Sequence, residues 1–283
     1  MLNICGPQLI TDLKKIFKEI QMNKEYIFSG DYVAKEIIKW IKDYFAKNAP
    51  EGKAVIGISG GKDSTICTAL LCEALGANRV IGVLMPNGEQ HDIDVAKEII
   101  THYHIPYYEV NIADTMNSFN NVLKTQYIDV NKPSISTNSP ARIRMAVLYA
   151  VAADVGGLVV NTSNLSEIYV GYSTKWGDGA GDFGLLRRYC VEEVIAIGKA
   201  MNIPNEWIEK TPEDGMSGVS DEERMGFTYN QLDNYLLRDI YPDAKTLARI
   251  VKMHKESDHK RNVNMPCPLY YGNYARCHED WEF

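Results

Sequence analysis

The spacing of apolar residues changes period along the chain. Leu9, Leu13, Ile16, Phe17 and Ile20 fall on one face of a helix over residues 9–20. Val33, Ile37, Trp40, Ile41 and Tyr44 do the same over residues 31–47, with Asp31 placed as N-cap. Stripes at this spacing face a core. Beyond residue 50 short apolar runs take over, and residues 54–58, 79–85, 107–112 and 158–160 read as strands. Helical patterns over 65–75, 91–104 and 141–154 separate them. This alternation predicts an α/β fold of the Rossmann-like kind: a parallel β-sheet, right-handed crossovers and helices on both faces. After Asn161 the pattern loosens. Residues 172–184 contain four glycines, and residues 210–226 are rich in Gly, Pro and acidic side chains. Both stretches are too long for simple connections and are candidates for function. Helices over 228–238 and 244–257 close the pattern, leaving extra helices at both termini. No repeat or linker divides the sequence, so residues 1–283 read as a single domain.

Composition narrows the partners. A chain of 283 residues buries enough surface to need no covalent staple. Its net charge of −7 argues against a nucleic-acid binder, whose affinity rests on a basic face. No apolar run approaches the roughly 20 residues that span a bilayer, and the N-terminus lacks the basic and apolar regions of a secretion signal. A cytoplasmic protein without membrane contact is expected. The six cysteines show no Cys-x-x-Cys spacing and read as reduced fillers. Cys267, Cys277 and His278 lack the fourth ligand of a tetrahedral zinc site.

The chemistry concentrates after the first strand, in Gly57-Ile58-Ser59-Gly60-Gly61-Lys62-Asp63-Ser64. A glycine turn between strand and helix exposes successive backbone N–H groups, and the helix N-terminus behind them favours an anion. Glycines at 60 and 61 allow close approach, while Ser59 and Ser64 add hydroxyls. A Walker A loop needs Ser or Thr after the lysine, where this chain has Asp63. A dinucleotide fingerprint needs glycine at 59. Both patterns fail. An aspartate in an anion nest calls for a cation, which points Asp63 toward Mg²⁺; the bland alternative is a helix N-cap.

This string resembles the PP-loop of the N-type ATP pyrophosphatases, which cleave ATP between the α and β phosphates. Four further strings, Ala141–Met145, Asn161–Glu167, Thr174–Asp182 and Glu256–Arg261, resemble, in order, the pattern of the ammonia-dependent NAD synthetase family over roughly residues 30–262. The resemblance implies amidation of deamido-NAD with ATP and ammonia, giving NAD, AMP and pyrophosphate through an acyl-adenylate. It implies Asp63 and Glu167 as Mg²⁺ carboxylates and Thr162 as an ATP contact beside the loop residues. Arg142, Lys175, Asp182, His259 and Lys260 become contacts of deamido-NAD, and Tyr172, an aromatic flanking the glycine-rich stretch, is a candidate to stack on its pyridine ring. Asp178 becomes a candidate to accept a proton from ammonium. Each has a plainer reading: Glu167 as a solvated helix face, Thr162 as a helix cap, Tyr172 as a packing anchor, and 259–261 as a solvated helix end.

The pattern breaks at two positions. Val191 stands where many members have an ATP-contacting lysine, and Glu213 where Ser or Thr follows the proline of 210–212. Both are poor ATP contacts, for which Lys210 or Thr211 could substitute. With the loop beginning near residue 57 no amidase domain is expected before it, so free ammonia is the implied nitrogen donor unless a separate subunit supplies it. Members form homodimers with the substrate site at the interface, to which residues 1–50 and 262–283 would contribute. Two competing readings make distinct predictions. A tRNA-modifying PP-loop enzyme requires paired reactive cysteines and a basic face. A non-catalytic nucleotide sensor would tolerate loss of Asp63 and Glu167, and both are present.

Overall fold

Five strands form the sheet: β1 (Lys53–Gly57), β2 (Val80–Leu84), β3 (Tyr107–Glu109), β4 (Gly157–Asn161) and β5 (Phe183–Gly184). They lie in the order β3-β2-β1-β4-β5, every neighbouring pair parallel. The computed structural model describes residues 26–89, 93–209 and 220–261. The helix expected over 9–20, together with Lys210, Thr211, Glu213, Cys267, Cys277 and His278, lies outside them.

In the first half the helices are α1 (Gly30–Asn48), α2 (Lys62–Leu75), α3 (Ile93–Tyr103), α4 (Ala113–Thr125) and α5 (Pro133–Val155). The second half adds α6 (Leu165–Val170), α7 (Val191–Ala200), α8 (Asn205–Ile208), α9 (Asp221–Met225), α10 (Tyr229–Arg238), α11 (Ala244–Glu256) and α12 (Asp258–Arg261).

The pleat sorts the strand residues between two layers. Ala54, Ile56, Val80 and Leu84 face α1, α2, α3 and α7, where Ile37, Ile41, Phe45, Ile66 and Leu70 are fully or almost fully buried. Val55, Ile81, Val83 and Val159 face α5 through Met145, Leu148 and Ala152. Burial on both faces is why these strands read as unbroken apolar runs. A third apolar cluster unites α6, α10 and α11 around Leu165, Tyr235, Leu236 and Ile250.

Several boundaries differ from the sequence reading. Ser29, not Asp31, caps α1: its Oγ accepts from Tyr32 N at 3.3 Å, and Asp31 sits in the first turn. There a negative charge favours the helix dipole. α2 starts at Lys62 rather than 65, so Lys62, Asp63 and Ser64 are its first turn. α5 starts at Pro133, ahead of the expected 141, because proline initiates a helix well; the internal Pro140 and the polar first half hid the period. α4, α6, α7, α8, α9 and β5 have no counterpart in the sequence reading, and α9 falls within the stretch 210–226 read as a loop. α6 and β5 are too short to show a period, and α4 buries only Met116.

The loops after β1 and β4 leave the sheet at its centre, where β2 and β3 were laid down on one side and β4 and β5 on the other. In such sheets the crevice beyond the strands' C-terminal ends is where ligands bind. Among the described residues no helix is long and apolar enough to cross a membrane.

Candidate active site

The loop after β1 is fixed by its own serines. Ile58, 4% exposed, continues the ladder through its N–H to Val83 O at 3.1 Å and offers a ligand only backbone. At Gly60 φ is +84°, a conformation that glycine adopts without strain. Ser59 Oγ accepts from Gly61 N at 3.2 Å and lies 3.2 Å from Ser64 Oγ, which donates to Gly61 O at 3.0 Å. The hydroxyls therefore brace the turn. Gly61 is the N-cap of α2 and no side chain caps it, so the first-turn N–H groups keep their donor capacity for an anion.

Behind the loop, charge is crowded. Lys62 is only 5% exposed; its Nζ lies 2.8 Å from Asp63 Oδ2 and 5.7 Å from the centroid of the Tyr229 ring. Burial works against its ammonium, but Asp63, Glu167 and Asp221 outweigh that and hold its pKa above the usual lysine value. Glu167 pays for the same crowding: burial first, then the charge of Asp63, pushes its carboxyl up to about 8. Burial and these carboxylates likewise drive the Tyr229 phenol well above its ordinary range, so it stays protonated, 3.4 Å from Asp221 Oδ2. Asp221 falls in the stretch read as a loop, and no spacing marked it.

Asp63 is therefore not a helix N-cap, and Glu167 is not a solvated face. Glu167 is the third residue of α6, whose N-cap is Asn164, so Thr162 is not a cap either. Thr162 sits directly beyond β4, half-buried, at the end of the strand that pairs with β1. Asp63 and Glu167, with Asp221 near, place more carboxylates than cations in one recess, an imbalance that a divalent ion offsets. The donors are hard oxygens, as Mg²⁺ requires. Among the described residues no three or more His, Cys, Asp or Glu side chains form a complete cage. Such a set suits an ion completed by phosphate and water oxygens. Val191 is corrected: its side chain is buried in the third apolar cluster, and its N–H bonds Ser166 Oγ at 3.1 Å. It offers ATP no side-chain contact.

Another group gathers around residues 171–178. Arg142 Nε donates to Lys175 O at 3.2 Å, and Lys175 Nζ donates to His259 O. Lys260 Nζ reaches Gly171 O and Ser173 O, each at 2.7 Å. Residues 259–261 thus tie down the loop instead of ending a solvated helix, although the His259 side chain is exposed. Gly171 has φ +67°, and a Cβ there would come within 2.0 Å of Ser257 Cβ. Asp178 accepts from Thr174 N at 2.7 Å, and burial raises its pKa despite that bond and the Lys260 charge. The sequence reading missed Asn161, whose Nδ2 holds Asp178 O at 2.7 Å and Ala180 O at 3.0 Å. It also missed Arg187, which lines a cleft with Ser163, Ser173, Gly179 and Lys260.

Two candidates do not join this group as expected. Asp182 Oδ2 accepts from Val159 N at 2.7 Å and Oδ1 from Tyr149 OH at 3.2 Å, so its carboxylate completes the sheet beside β5. Tyr172, half-buried, packs against the third apolar cluster with its N–H on Glu167 O at 2.8 Å, which is the packing anchor that its plainer reading expects.

A sequence model of the NAD synthase family matches residues 33–264, the span that carries both groups. The chain belongs to that family. It is 32% identical to the NH(3)-dependent NAD(+) synthetase of Pyrococcus furiosus over 81% of this chain and 92% of that one. The enzyme of the same name from Thermoplasma acidophilum is 35% identical, over 80% and 95%. Among solved structures, the NMN synthetase of Francisella tularensis superposes with a TM-score of 0.76 at 32% identity, covering 88% of this chain and 100% of that one. As a member of the NAD synthase family the chain is a carbon–nitrogen ligase of the ammonia-dependent kind, with ATP as co-substrate.

Proposed function

We propose that the two groups divide the amidation of deamido-NAD between them. The glycine turn and Lys62 hold the triphosphate, with Thr162 beside it. Asp63 and Glu167 hold Mg²⁺, which supplies charge neutralisation at the phosphates when bound. The group around residues 171–178 holds the acid: Arg142, Lys175 and Lys260 are cations suited to its carboxylate and phosphates. The carboxylate oxygen attacks the α-phosphorus and pyrophosphate leaves. Ammonia then attacks the acyl carbon, AMP leaves, and Asp178, whose raised pKa suits a proton acceptor, takes the proton from nitrogen. The observation that carries this reading is the crowded cluster of buried Lys62 with half-buried Asp63 and Glu167, directly behind a glycine turn that no side chain caps.

The protein is incubated with deamido-NAD, Mg-ATP and ammonium, and NAD, AMP and pyrophosphate are measured. Equal amounts of all three support the reading; release of ADP and orthophosphate overturns it. The Francisella structure favours a second reading, in which the acid is carried on a mononucleotide. Comparing kcat/KM on the two acids decides between them.

We also read the assembly as a homodimer of single-domain chains with the acid site near the interface. α1 places its apolar stripe in the core. Tyr32 on α1 is exposed, but more of the exposed apolar residues gather around α4: Phe119 and Val122 on it, Tyr127 and Ile128 after it, and Tyr149 on the neighbouring α5. A face of this kind marks an interaction site. A monomeric mass in light scattering would overturn this part.

A further inference from the structure

One buried amide connects the two proposed metal carboxylates. Asn164, 0% exposed, is the N-cap of α6. Its Oδ1 accepts from Glu167 N at 3.0 Å, and Glu167 Oε2 accepts from Asn164 N at 3.4 Å. Its Nδ2 donates to Asp63 Oδ1 at 3.2 Å, across 101 positions of sequence. The other oxygen of Asp63, Oδ2, accepts from Lys62 Nζ at 2.8 Å.

Capping alone does not account for asparagine here. Ser, Thr and Asp cap a helix comparably well. Aspartate would set another carboxylate against Asp63. The single hydroxyl of Ser or Thr is shorter than the amide, and its oxygen would already be engaged as the cap. Only an amide accepts from the helix with one atom while donating across the crevice with another. The two oxygens of Asp63 are thereby distinguished: one is held by a neutral donor belonging to the fold, the other is paired with the Lys62 ammonium.

We propose that Asn164 is a positioning residue that holds Asp63 by Oδ1 so that Oδ2 is presented to the divalent ion, with the Lys62 ammonium keeping that ion's place until nucleotide arrives. This rests on the reading of Asp63 and Glu167 as metal carboxylates. When phosphate oxygens draw Lys62 away, Oδ2 is released already aimed. Asn164 keeps its bond to Oδ1, and Glu167 keeps its place at the helix start.

Mn²⁺ binding, followed by electron paramagnetic resonance on the full chain with and without ATP, tests this apart from turnover. N164S retains a helix cap but loses the donor to Asp63. It should bind Mn²⁺–ATP about tenfold more weakly, the lower end for loss of a partner of a metal ligand, with an unfolding temperature close to the parent's. Parental affinity in folded N164S overturns the positioning role. K62M provides an arm that does not depend on that variant folding: removing the competing ammonium should tighten binding of Mn²⁺ alone. Equal or weaker binding overturns the assignment of Oδ2. D63A separates the two levels, since parental Mn²⁺–ATP affinity in that variant would defeat the metal reading itself and not merely the part given to Asn164.

Discussion

The two halves of the site are built on opposite electrostatic plans. Around the glycine turn, like charges are forced together: Asp63, Glu167 and Asp221 share Lys62, and Glu167 is pushed up to about 8. Around residues 171–178 the cations are already satisfied, Lys175 by His259 O and Lys260 by Gly171 O and Ser173 O. The first half stores unfavourable negative charge that a divalent cation relieves. The second must exchange backbone partners for ligand partners, so its binding energy is a difference between similar bonds. Removing a group should therefore damage the first half more than the second.

The largest effect is expected from Asp63→Ala. Loss of one preorganised electrostatic group lowers the rate by about 100-fold or more, measured as NAD formed per enzyme. Circular dichroism and the unfolding temperature should stay near the parent's, because the substitution also removes a charge from a crowd. A near-parental rate would show that the crowding serves only the fold.

Next is Lys260→Met. Two charged-donor bonds anchor the loop here, so the change should raise KM for the acid by about tenfold or more, at about 2 kcal/mol for a bond to a charged group. The KM for ATP should stay nearly constant. If both constants rise together, the halves are not separate.

Asp233 lies behind the first half. It accepts from Ser166 Oγ at 2.6 Å and from Glu192 N at 2.9 Å, bracing the starts of α6 and α7. Burial raises its carboxyl to about 7. A raised acid favours folding fully below its unfolded pKa of about 4, and that contribution is lost as pH rises through 7. The Asp233→Asn protein should therefore gain on the parent between pH 4 and 8, by at most about 4 kcal/mol over three pH units. Denaturant unfolding at several pH values gives the difference. A parent–variant gap that is constant with pH would reject the shift.

The smallest effect belongs to Arg142→Lys. Arg142 meets the loop through one bond to Lys175 O at 3.2 Å. Lysine keeps the charge but not the planar fork, so KM for the acid should rise by about fivefold or less, roughly 1 kcal/mol. A larger loss would mean that Arg142 holds substrate through its fork.

Periodicity and one glycine-rich string disclosed the parallel sheet, the strand–turn–helix context of the phosphate loop and the importance of Asp63, because these features are local in sequence. Lys62, Asp63 and Ser64 are adjacent along one helical turn, so their joint presence at the loop is fixed by the chain itself. Glu167, Lys175 and Lys260 were legible through the resemblance of their surrounding strings, but not their partners. Asn161 and Asn164 lie in a string that resembles the family, but their roles, like those of Asp221 and Arg187, which carry no period and no motif, arise only because distant segments meet there. The same is true of the candidates that changed role. Asp182 completes a sheet edge, Tyr172 anchors a core and Val191 faces inward, all decided by where β5, α6 and α7 settle. Sequence alone determined which short segments could bind an anion or bury a face, since backbone geometry and apolar spacing are local properties. Which carboxylates are crowded, which cations are already engaged and which amide spans 101 residues to orient Asp63 were decided by tertiary structure, because burial and charge–charge energies depend on distances that exist only once the chain has folded.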